Sequence, residues 1–523
     1  MSEKINPKEK VHNEIKKAET KAEILKKKII ESYEIVSEGV KAKVSVVVEP
    51  EQLSLSYHID IPQIEPATEA LLDDVRDELV KEITLSATEV LDIRSAVELK
   101  EKFYKKIYDL IKKRMPNEKE EHIVIMAGRL LNTSFGLGDI EFLLSDPNLE
   151  EIVINGATQP IWVFHKVHGW LKTNLEVDTE SLIYNYASTI GRRVGRQINI
   201  LNPLLDAHLI TGDRVNSTLF PISSAGNTIT IRKFRRNPWS IVELISNKTI
   251  TSRMMAFLWL SVQYEMSILF SGGTGSGKTT LMNAVMSFLP ANQRVISIED
   301  TREINLPTYL HWVPLTTREA NAEGKGEVNM LELLVNSLRM RPDYIIVGEI
   351  RRGPEADVLF EAIHTGHSVY STLHADTALQ TVRRLTNEPI NISPIMLESL
   401  PLIVVMFRDR KKRIRRVLEI SEVYSSITGG NQNESITVND LWKWNPRDDT
   451  TQEIGESVRY YEDLKMHTGM SDEDIAKDMK EKEEVLNWMV GKKLFDVDEL
   501  GKIINEYYLD KEGLLKKIRG KKI

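Results

Sequence analysis

One short stretch of this 523-residue chain gathers the groups that hold phosphate: Gly272-Gly273-Thr274-Gly275-Ser276-Gly277-Lys278-Thr279-Thr280. The spacing is GxxxxGK[ST], which needs a strand before it and a helix after it. Both are expected here, from Ser267–Phe270 and from Leu281-Met282-Asn283-Ala284-Val285-Met286. Glycines let the backbone wrap tightly and turn its N–H groups toward an anion. The helix N-terminus adds positive potential. Lys278 would meet the β- and γ-phosphates, and the Thr279 hydroxyl would ligate Mg²⁺, so ATP with Mg²⁺ is the expected ligand. The bland alternative, a glycine-rich turn that holds nothing, does not explain why strand, loop, lysine, threonine and helix fall in register.

Further acids sit where strands end. In Arg339-Met340-Arg341-Pro342-Asp343-Tyr344-Ile345-Ile346-Val347-Gly348-Glu349, four apolar residues form a strand and Glu349 stands at its carboxyl end. In an open α/β sheet that end faces the ligand. A glycine, Gly348, occupies the place where an ordinary Walker B strand carries Asp, which leaves Glu349 to polarise the attacking water. Glu299-Asp300 closes the strand Val295–Ile298, and Glu299 there suits a metal ion or a water. Thr365-Gly366-His367-Ser368-Val369-Tyr370-Ser371-Thr372-Leu373-His374-Ala375 sets two histidines around another buried strand. Taken alone, each histidine would more often be a core or capping residue. No HExxH spacing and no cysteine supports zinc.

These groups need a scaffold, and the hydrophobic pattern supplies one. From about 250 to 425, short apolar strands (Ser267–Ser271, Arg294–Ile298, Tyr344–Val347) alternate with helical patterns. That order argues for an α/β domain with a parallel sheet covered on both faces. Residues 136–235 read as mixed α/β, with strands at Glu151–Asn155, Ile161–Phe164 and Thr228–Phe234, and residues 66–135 as mainly helical. Val44, Val46 and Val48, a turn at Glu49-Pro50, and Leu53, Leu55, Tyr57, Ile59 and Ile61 alternate as a hairpin does. The first forty residues read as a charged helix with Val11, Ile15, Ala18, Ala22, Leu25 and Ile29 on one face. Arg235-Arg236-Asn237-Pro238 marks a boundary. The tail from about 440 reads as helical, with capping-box patterns at Ser471–Asp474 and Asp496–Glu499. The basic run Arg408–Arg416 lies between two apolar strands and reads as an exposed hairpin tip, with an anionic lipid or membrane-partner contact as the other reading.

Composition bounds the rest. The chain carries 69 basic and 77 acidic residues, a formal charge of −8, and no cysteine. This balance gives no overall basic footprint for nucleic acid, and the missing cysteines exclude disulfides and cysteine-held metals. Apolar runs such as Ala256–Leu260 and Leu402–Phe407 fall far short of the ~20 residues that span a bilayer. A signal peptide is not expected, because the N-terminus lacks an apolar segment.

The order of P-loop, Ile298-Glu299-Asp300, Arg-Pro-Asp…Gly-Glu-Ile-Arg and Thr-Gly-His…Ser-Thr-Leu-His-Ala resembles the type II/type IV secretion ATPase superfamily. Its four boxes, Walker A, Asp box, Walker B and His box, match Gly272–Thr280, Glu299–Glu303, Ile345–Glu349 and Thr365–Ala375. Gly138-Asp139-Ile140 to Gly156, Gly212–Asn216 and Ile229–Phe234 are similar to the family's N-terminal domain. Leu441–Pro446 and the tail are similar to its archaeal branch, which holds the archaellum motor and the archaeal pilus and secretion ATPases.

The resemblance implies an N-terminal α+β domain that covers the nucleotide, a C-terminal RecA-like P-loop domain with a parallel sheet, and a helical C-terminal extension. The expected division is 1–65 charged helix and hairpin, 66–236 nucleotide-covering domain, 237–250 linker, 251–430 ATPase domain and 431–523 helical extension. The implied activity is ATP hydrolysis by a homo-hexamer at the cytoplasmic face of the membrane, driving a polytopic platform protein and, through it, pilin-like or archaellin subunits. No nucleic-acid partner is implied. Lys278, Glu299, Glu349, His374 and Arg232 are the candidate catalytic set. Arg214, Arg232 and Arg339 join the P-loop as candidate nucleotide contacts. The rival readings are a nucleic-acid motor, which nucleic-acid-stimulated hydrolysis would favour, and a nucleotide-dependent scaffold or switch, which a turnover assay would decide.

Overall fold

Apolar side chains at every second position, Val40, Ala42, Val44 and Val46, are all buried while Lys41 and Lys43 between them stay exposed, the period of a strand with one dry face. They form β2 (Val40–Val48) of a computed structural model that describes residues 28–49, 55–82, 93–209, 211–234, 238–318, 320, 324–409, 411–427 and 434–520. The chain divides into two units, Met1–Arg235 and Arg236–Ile523.

In the first unit β1 (Lys28–Ser37) pairs antiparallel with β2, and β3 (Leu55–Asp60) pairs antiparallel on β2's other side. The expected hairpin of Val44–Val48 with Leu55–Ile61 is therefore present, although Pro50 and Leu53 lie outside the described residues. The helix expected over the first forty residues is corrected at its end. Residues 1–27 lie outside the described residues, but Ile29 belongs to β1. The turn explains this: Glu38 and Gly39 both take positive φ, 48° and 80°, the two-residue geometry that reverses a twisted hairpin.

The sheet continues through β4 (Leu149–Ile154), β5 (Pro160–His165), β6 (Gly169–Glu176), β7 (Leu204–His208), β8 (Arg214–Thr218) and β9 (Thr228–Arg232). Its order is β1-β2-β3-β6-β5-β4-β9-β8-β7. The β3–β6 pair is parallel and joins the hairpin to the strands behind it, so β1, β2 and β3 share a sheet and a core with the residues that follow. The helices Pro66–Glu82, Ile93–Arg114 and Glu120–Phe135 build a separate small core around Val75, Ile107, Ile111 and Leu131.

The second unit holds β10 (Ile268–Gly272), β11 (Arg294–Glu299), β12 (His311–Thr316), β13 (Tyr344–Val347), β14 (Ser368–Leu373), β15 (Leu402–Asp409), β16 (Ile414–Ile427), β17 (Glu434–Asn445) and β18 (Thr450–Glu453). They line up as β12-β11-β13-β14-β10-β15-β16-β17-β18. Strands β12 to β15 are parallel, and β16 to β18 extend them antiparallel. Burial on both faces explains the continuous apolar runs. Ile268 and Phe270 of β10 enter one core while Leu269 enters the other. Each such side chain contributes about 1.5–3 kcal/mol.

The run Ala256–Leu260 lies in the helix Ser252–Gln263, which is buried from Met254 to Val262, as a helix apolar all round must be. Two boundaries differ from expectation. The described part of the expected linker 237–250 is folded: Ser240 and Glu243 form a capping box on the helix Ile241–Ser246, whose Ile241, Val242 and Leu244 enter the core of the second unit. Residues 434–445 and 450–453 are strands, and Leu441, Trp442 and Trp444 bury against the sheet.

The helical tail follows as Tyr460–Thr468, Asp472–Lys492, Val497–Leu509 and Lys511–Ile518. Ser471 forms its capping box with Asp474, and Asp496 caps its helix through the Glu499 N–H. Glu422 of β16 ties the tail to the sheet. It is fully buried and accepts from the backbone N–H groups of Val458 (2.6 Å), Tyr460 (2.9 Å) and Arg459 (3.2 Å), from the Ser457 hydroxyl (2.8 Å) and from Asn439 (2.7 Å). Burial acts to raise its pKa, but these donors outweigh burial and hold the carboxyl below the usual carboxylate range.

Candidate active site

The loop after β10 turns so sharply that one of its glycines admits no other residue. A Cβ on Gly272 would stand 2.3 Å from the carbonyl oxygen of Met406 in the neighbouring β15. Gly277 takes φ 100° and caps the helix Lys278–Val285, a conformation that costs an L side chain strain. The sequence thereby aims a helix N-terminus and the first-turn residues Lys278, Thr279 and Thr280 at one spot, the carboxyl edge of the parallel strands.

Lys278 is buried. Its ammonium donates to the carbonyls of Gly272 (3.0 Å) and Gly273 (3.2 Å) and to Nδ1 of His374 (3.0 Å). His374 in turn sets Nε2 3.1 Å from Oε1 of Glu349. Burial, and then the nearby Lys278 charge, push the His374 pKa down. The imidazole is accordingly neutral, with Nδ1 accepting from the lysine and Nε2–H donating to the glutamate. Burial also lowers the Lys278 pKa. Three of the residues singled out in the sequence thus form one connected line.

Glu349 is held further by Arg351, whose Nε lies 3.0 Å from Oε2 and whose Nη1 reaches Asp300 at 2.6 Å. Arg351 ends the Gly-Glu-Ile-Arg string, and nothing in the sequence alone gives it a role. Its value becomes visible once β11 and β13 are adjacent, because that pairing brings Asp300 and Glu349 within one guanidinium's span.

Glu299, at the end of β11, is 2% exposed. Its Oε1 accepts from the backbone N–H groups of Glu303 (2.9 Å) and Ile304 (3.0 Å). Its Oε2 is buried with no hydrogen-bond partner among the described residues. Burial, only partly offset by those two donors, pushes its pKa up to about 7. An orphaned carboxylate oxygen is the donor type a hard cation or an ordered water takes. Among the described residues no group of three or more histidines and acids forms a metal cage by itself.

A cavity of about 480 Å³ opens beside this line, walled by Gly273 and Thr274 of the loop and by His374, Asp376, Gln380 and Arg384. Arg384 donates to the His374 carbonyl at 2.5 Å. His367, the other histidine of its box, instead closes the preceding helix, 3.3 Å from Thr365 and from the Ala362 carbonyl.

The remaining candidates stand elsewhere. Arg339 lies in the turn before β13, at the amino end of a strand parallel to β10, whereas the P-loop crowns the carboxyl ends. Within one chain the two are at opposite ends of the sheet, so Arg339 does not join this site. Arg214 and Arg232 belong to the first unit, opposed across β8 and β9. Arg214 is engaged by Asp206 at 3.1 and 2.5 Å, and Arg232 also faces Glu151 across β4.

The basic run 408–416 is more than an exposed tip. Arg416 is buried and makes two 2.8 Å bonds to Asp449, while Arg415 turns to the P-loop and donates to the Gly275 carbonyl at 3.1 Å. Alternation along a strand would have split these arginines between two faces, but the run's charge concealed the alternation.

A model of the type II/IV secretion system protein family matches residues 210–423. The type IV secretion system protein PtlH of Bordetella pertussis is 32% identical over 280 residues, which cover 49% of this chain and 82% of that protein. The chain belongs to this family. The uncharacterized protein MJ0900 of Methanocaldococcus jannaschii is 35% identical to this secretion-family chain over 402 residues, 75% of this chain and 70% of that one. A crystal structure of the VirB11 ATPase of the Brucella suis type IV secretion system, in complex with sulphate, is 25% identical, covers 53% of this chain and 90% of that chain, and has a TM-score of 0.28. The secretion-family chain is an ATPase, and the line from P-loop lysine to strand-end glutamate is the part of it suited to hydrolysis.

Proposed function

We propose that this ATPase is a hexameric motor that converts ATP hydrolysis into assembly of a pilus-like filament or archaellum, or into type II-like secretion, from the cytoplasmic face of the membrane. The observation that carries the reading is the Lys278–His374–Glu349 line beside the phosphate loop. It joins a phosphate-facing cation to a carboxylate that can orient water. When bound, Mg²⁺ would neutralise charge developing on the β- and γ-phosphates, with Thr279 and Glu299 as the groups that would hold it. Lys278 leaves its loop carbonyls for the phosphates, His374 keeps Glu349 aligned, and Arg351 holds that carboxylate from its other oxygen.

Family membership supports a polytopic platform protein as the partner, with pilin-like or archaellin subunits moved indirectly. Among the described residues no helix is long and apolar enough to cross a membrane, in keeping with attachment through such a partner. Arg214 and Arg232 would be the cations that the N-terminal unit brings to the nucleotide, and Arg339 one that a neighbouring copy could supply.

The test is Lys278→Ala. Turnover should fall at least ~10²–10³-fold, the scale for losing one preorganised charge-stabilising group, with the thermal unfolding midpoint unchanged. Near-normal hydrolysis would remove this loop from the reaction.

A further inference from the structure

Sheet order gives the bound nucleotide a direction. Strands β13 and β14 flank β10 on one side and β15 and β16 on the other. Glu349 and His374 follow β13 and β14, and the cavity walled by His374 and Arg384 opens on that same side. Lys278 points there too, through His374. The γ-phosphate therefore belongs to the β13–β14 side. A nucleotide is a linear chain of γ-, β- and α-phosphates, ribose and base. Its other end must leave the loop toward β15 and β16. Three strand spacings separate β13 from β15, about 14 Å, the length scale of an extended nucleoside triphosphate.

Two guanidiniums wait at that end. Arg408 of β15 and Arg415 of β16 are directly opposed in the antiparallel ladder, so their side chains leave the same face of the sheet. Both reach the apex of the P-loop. Arg415 donates to the Gly275 carbonyl at 3.1 Å, and its Cδ lies 3.5 Å from where a Cβ on Gly277 would stand. Nη1 of Arg408 lies 2.6 Å from the corresponding point on Gly275. Both arginines are half-buried. Like charges set opposite each other in a ladder are destabilising by themselves. Planar guanidiniums, however, are suited to stack on an aromatic ring and to donate to neighbouring oxygens.

We propose that Arg408 and Arg415, opposed across β15 and β16 at the apex of the P-loop, form the subsite for the ribose and base of the bound nucleotide. The proposal rests on the ATPase reading above and deepens it. It assigns the base of the 408–416 hairpin to nucleoside recognition, and it makes the hairpin a mechanical link between the loop and the sheet's antiparallel half.

The test separates the nucleoside from the phosphates. Equilibrium binding of Mg-ATP and of Mg-tripolyphosphate, which has no ribose or base, is measured by calorimetry on the full chain and on Arg415→Ala, Arg408→Ala and Arg415→Lys. Each alanine variant should bind ATP about tenfold more weakly, the scale of a partly desolvated guanidinium–ring contact, with tripolyphosphate unchanged within about twofold. Arg415→Lys keeps a cation and the aliphatic stem but loses the planar face. It should show the same separation more weakly, and it carries the test if Arg415→Ala does not fold. An equal loss for both ligands would show that the arginines only brace the loop, and no loss for either would show that they touch nothing; both results overturn the proposal. Lys278→Ala should weaken both ligands. If it weakens neither, the P-loop reading fails, whatever the hairpin variants do.

Discussion

A Cβ on Gly348 would lie 3.3 Å from Cγ of Glu299. This contact explains why a glycine stands where a Walker B strand usually carries an acid. The end of β13 is already occupied by a carboxylate reaching over from β11, and an aspartate at 348 would place a second one in the same space.

Gly348→Ala should accordingly destabilise the protein by about 1–3 kcal/mol, the range for forcing an extra methyl into a packed site. The penalty should shrink in a Glu299→Ala background, where the opposing Cγ is gone. Urea unfolding of the four proteins in a double-mutant cycle reads the coupling. Additive penalties would mean that the two residues do not compete for space.

Glu299 also sets a pH dependence. Its pKa is raised from the usual 4.5 to about 7, chiefly by burial. Between those values the folded chain keeps a proton that the unfolded chain has released. Stability therefore falls as pH rises through that window and levels off above it. Glu299→Gln, which cannot ionise, should lose this part of the decline, so the variant gains on the parent from about pH 5 to about pH 7. Urea midpoints across that range measure it, and parallel profiles would show that the carboxyl titrates normally.

Glu349→Gln should bind ATP with near-parental affinity yet hydrolyse it about 10²–10⁴-fold more slowly, the usual contribution of a positioned acid–base group. Phosphate binding rests on the loop, whereas Glu349 meets the loop only through His374. Affinity and single-turnover rate are measured separately. A matching loss in both would assign Glu349 to metal binding or to structure.

The motor reading requires assembly and a moving cation. Light scattering with a non-hydrolysable ATP analogue should report hexamers, and Arg232→Ala should leave nucleotide binding nearly intact while lowering hydrolysis per ring. Arg232 lies on β9 of the first unit. It could drive motion only by touching phosphate in one state and not in another. A monomer at every concentration with full activity would favour the switch. A hexamer in which Arg232→Ala hydrolyses normally would keep the motor without this arginine.

Much of the site was readable because its chemistry is local in sequence. The P-loop, and the strand-end positions of Glu299, Glu349 and His374, follow from glycine spacing and short apolar runs, and β13 falls on Tyr344–Val347 as expected. What escaped depends on pairing between distant segments. Arg351 matters because β11 adjoins β13, and Arg415 because β15 and β16 fold back beside β10. Arg339 is near Glu349 in sequence but stands at the other end of β13, a separation only the strand's placement in the sheet reveals. The β1 hairpin was hidden by lysines and glutamates that suit a helix equally well, and only the Glu38-Gly39 turn decides between them.

The capture of Glu422 by the first residues of the tail has a consequence for how the chain can be cut. Chain removed from residue 457 onward would take four of the carboxylate's five donors with it. The shortened protein would carry a buried, poorly solvated anion in the middle of β16, at a cost of several kcal/mol. The helices beyond 457 are thus not an appendage added to a self-sufficient ATPase. Sheet and tail form one cooperative folding unit, and the C-terminal helices melt with the strands that carry the P-loop.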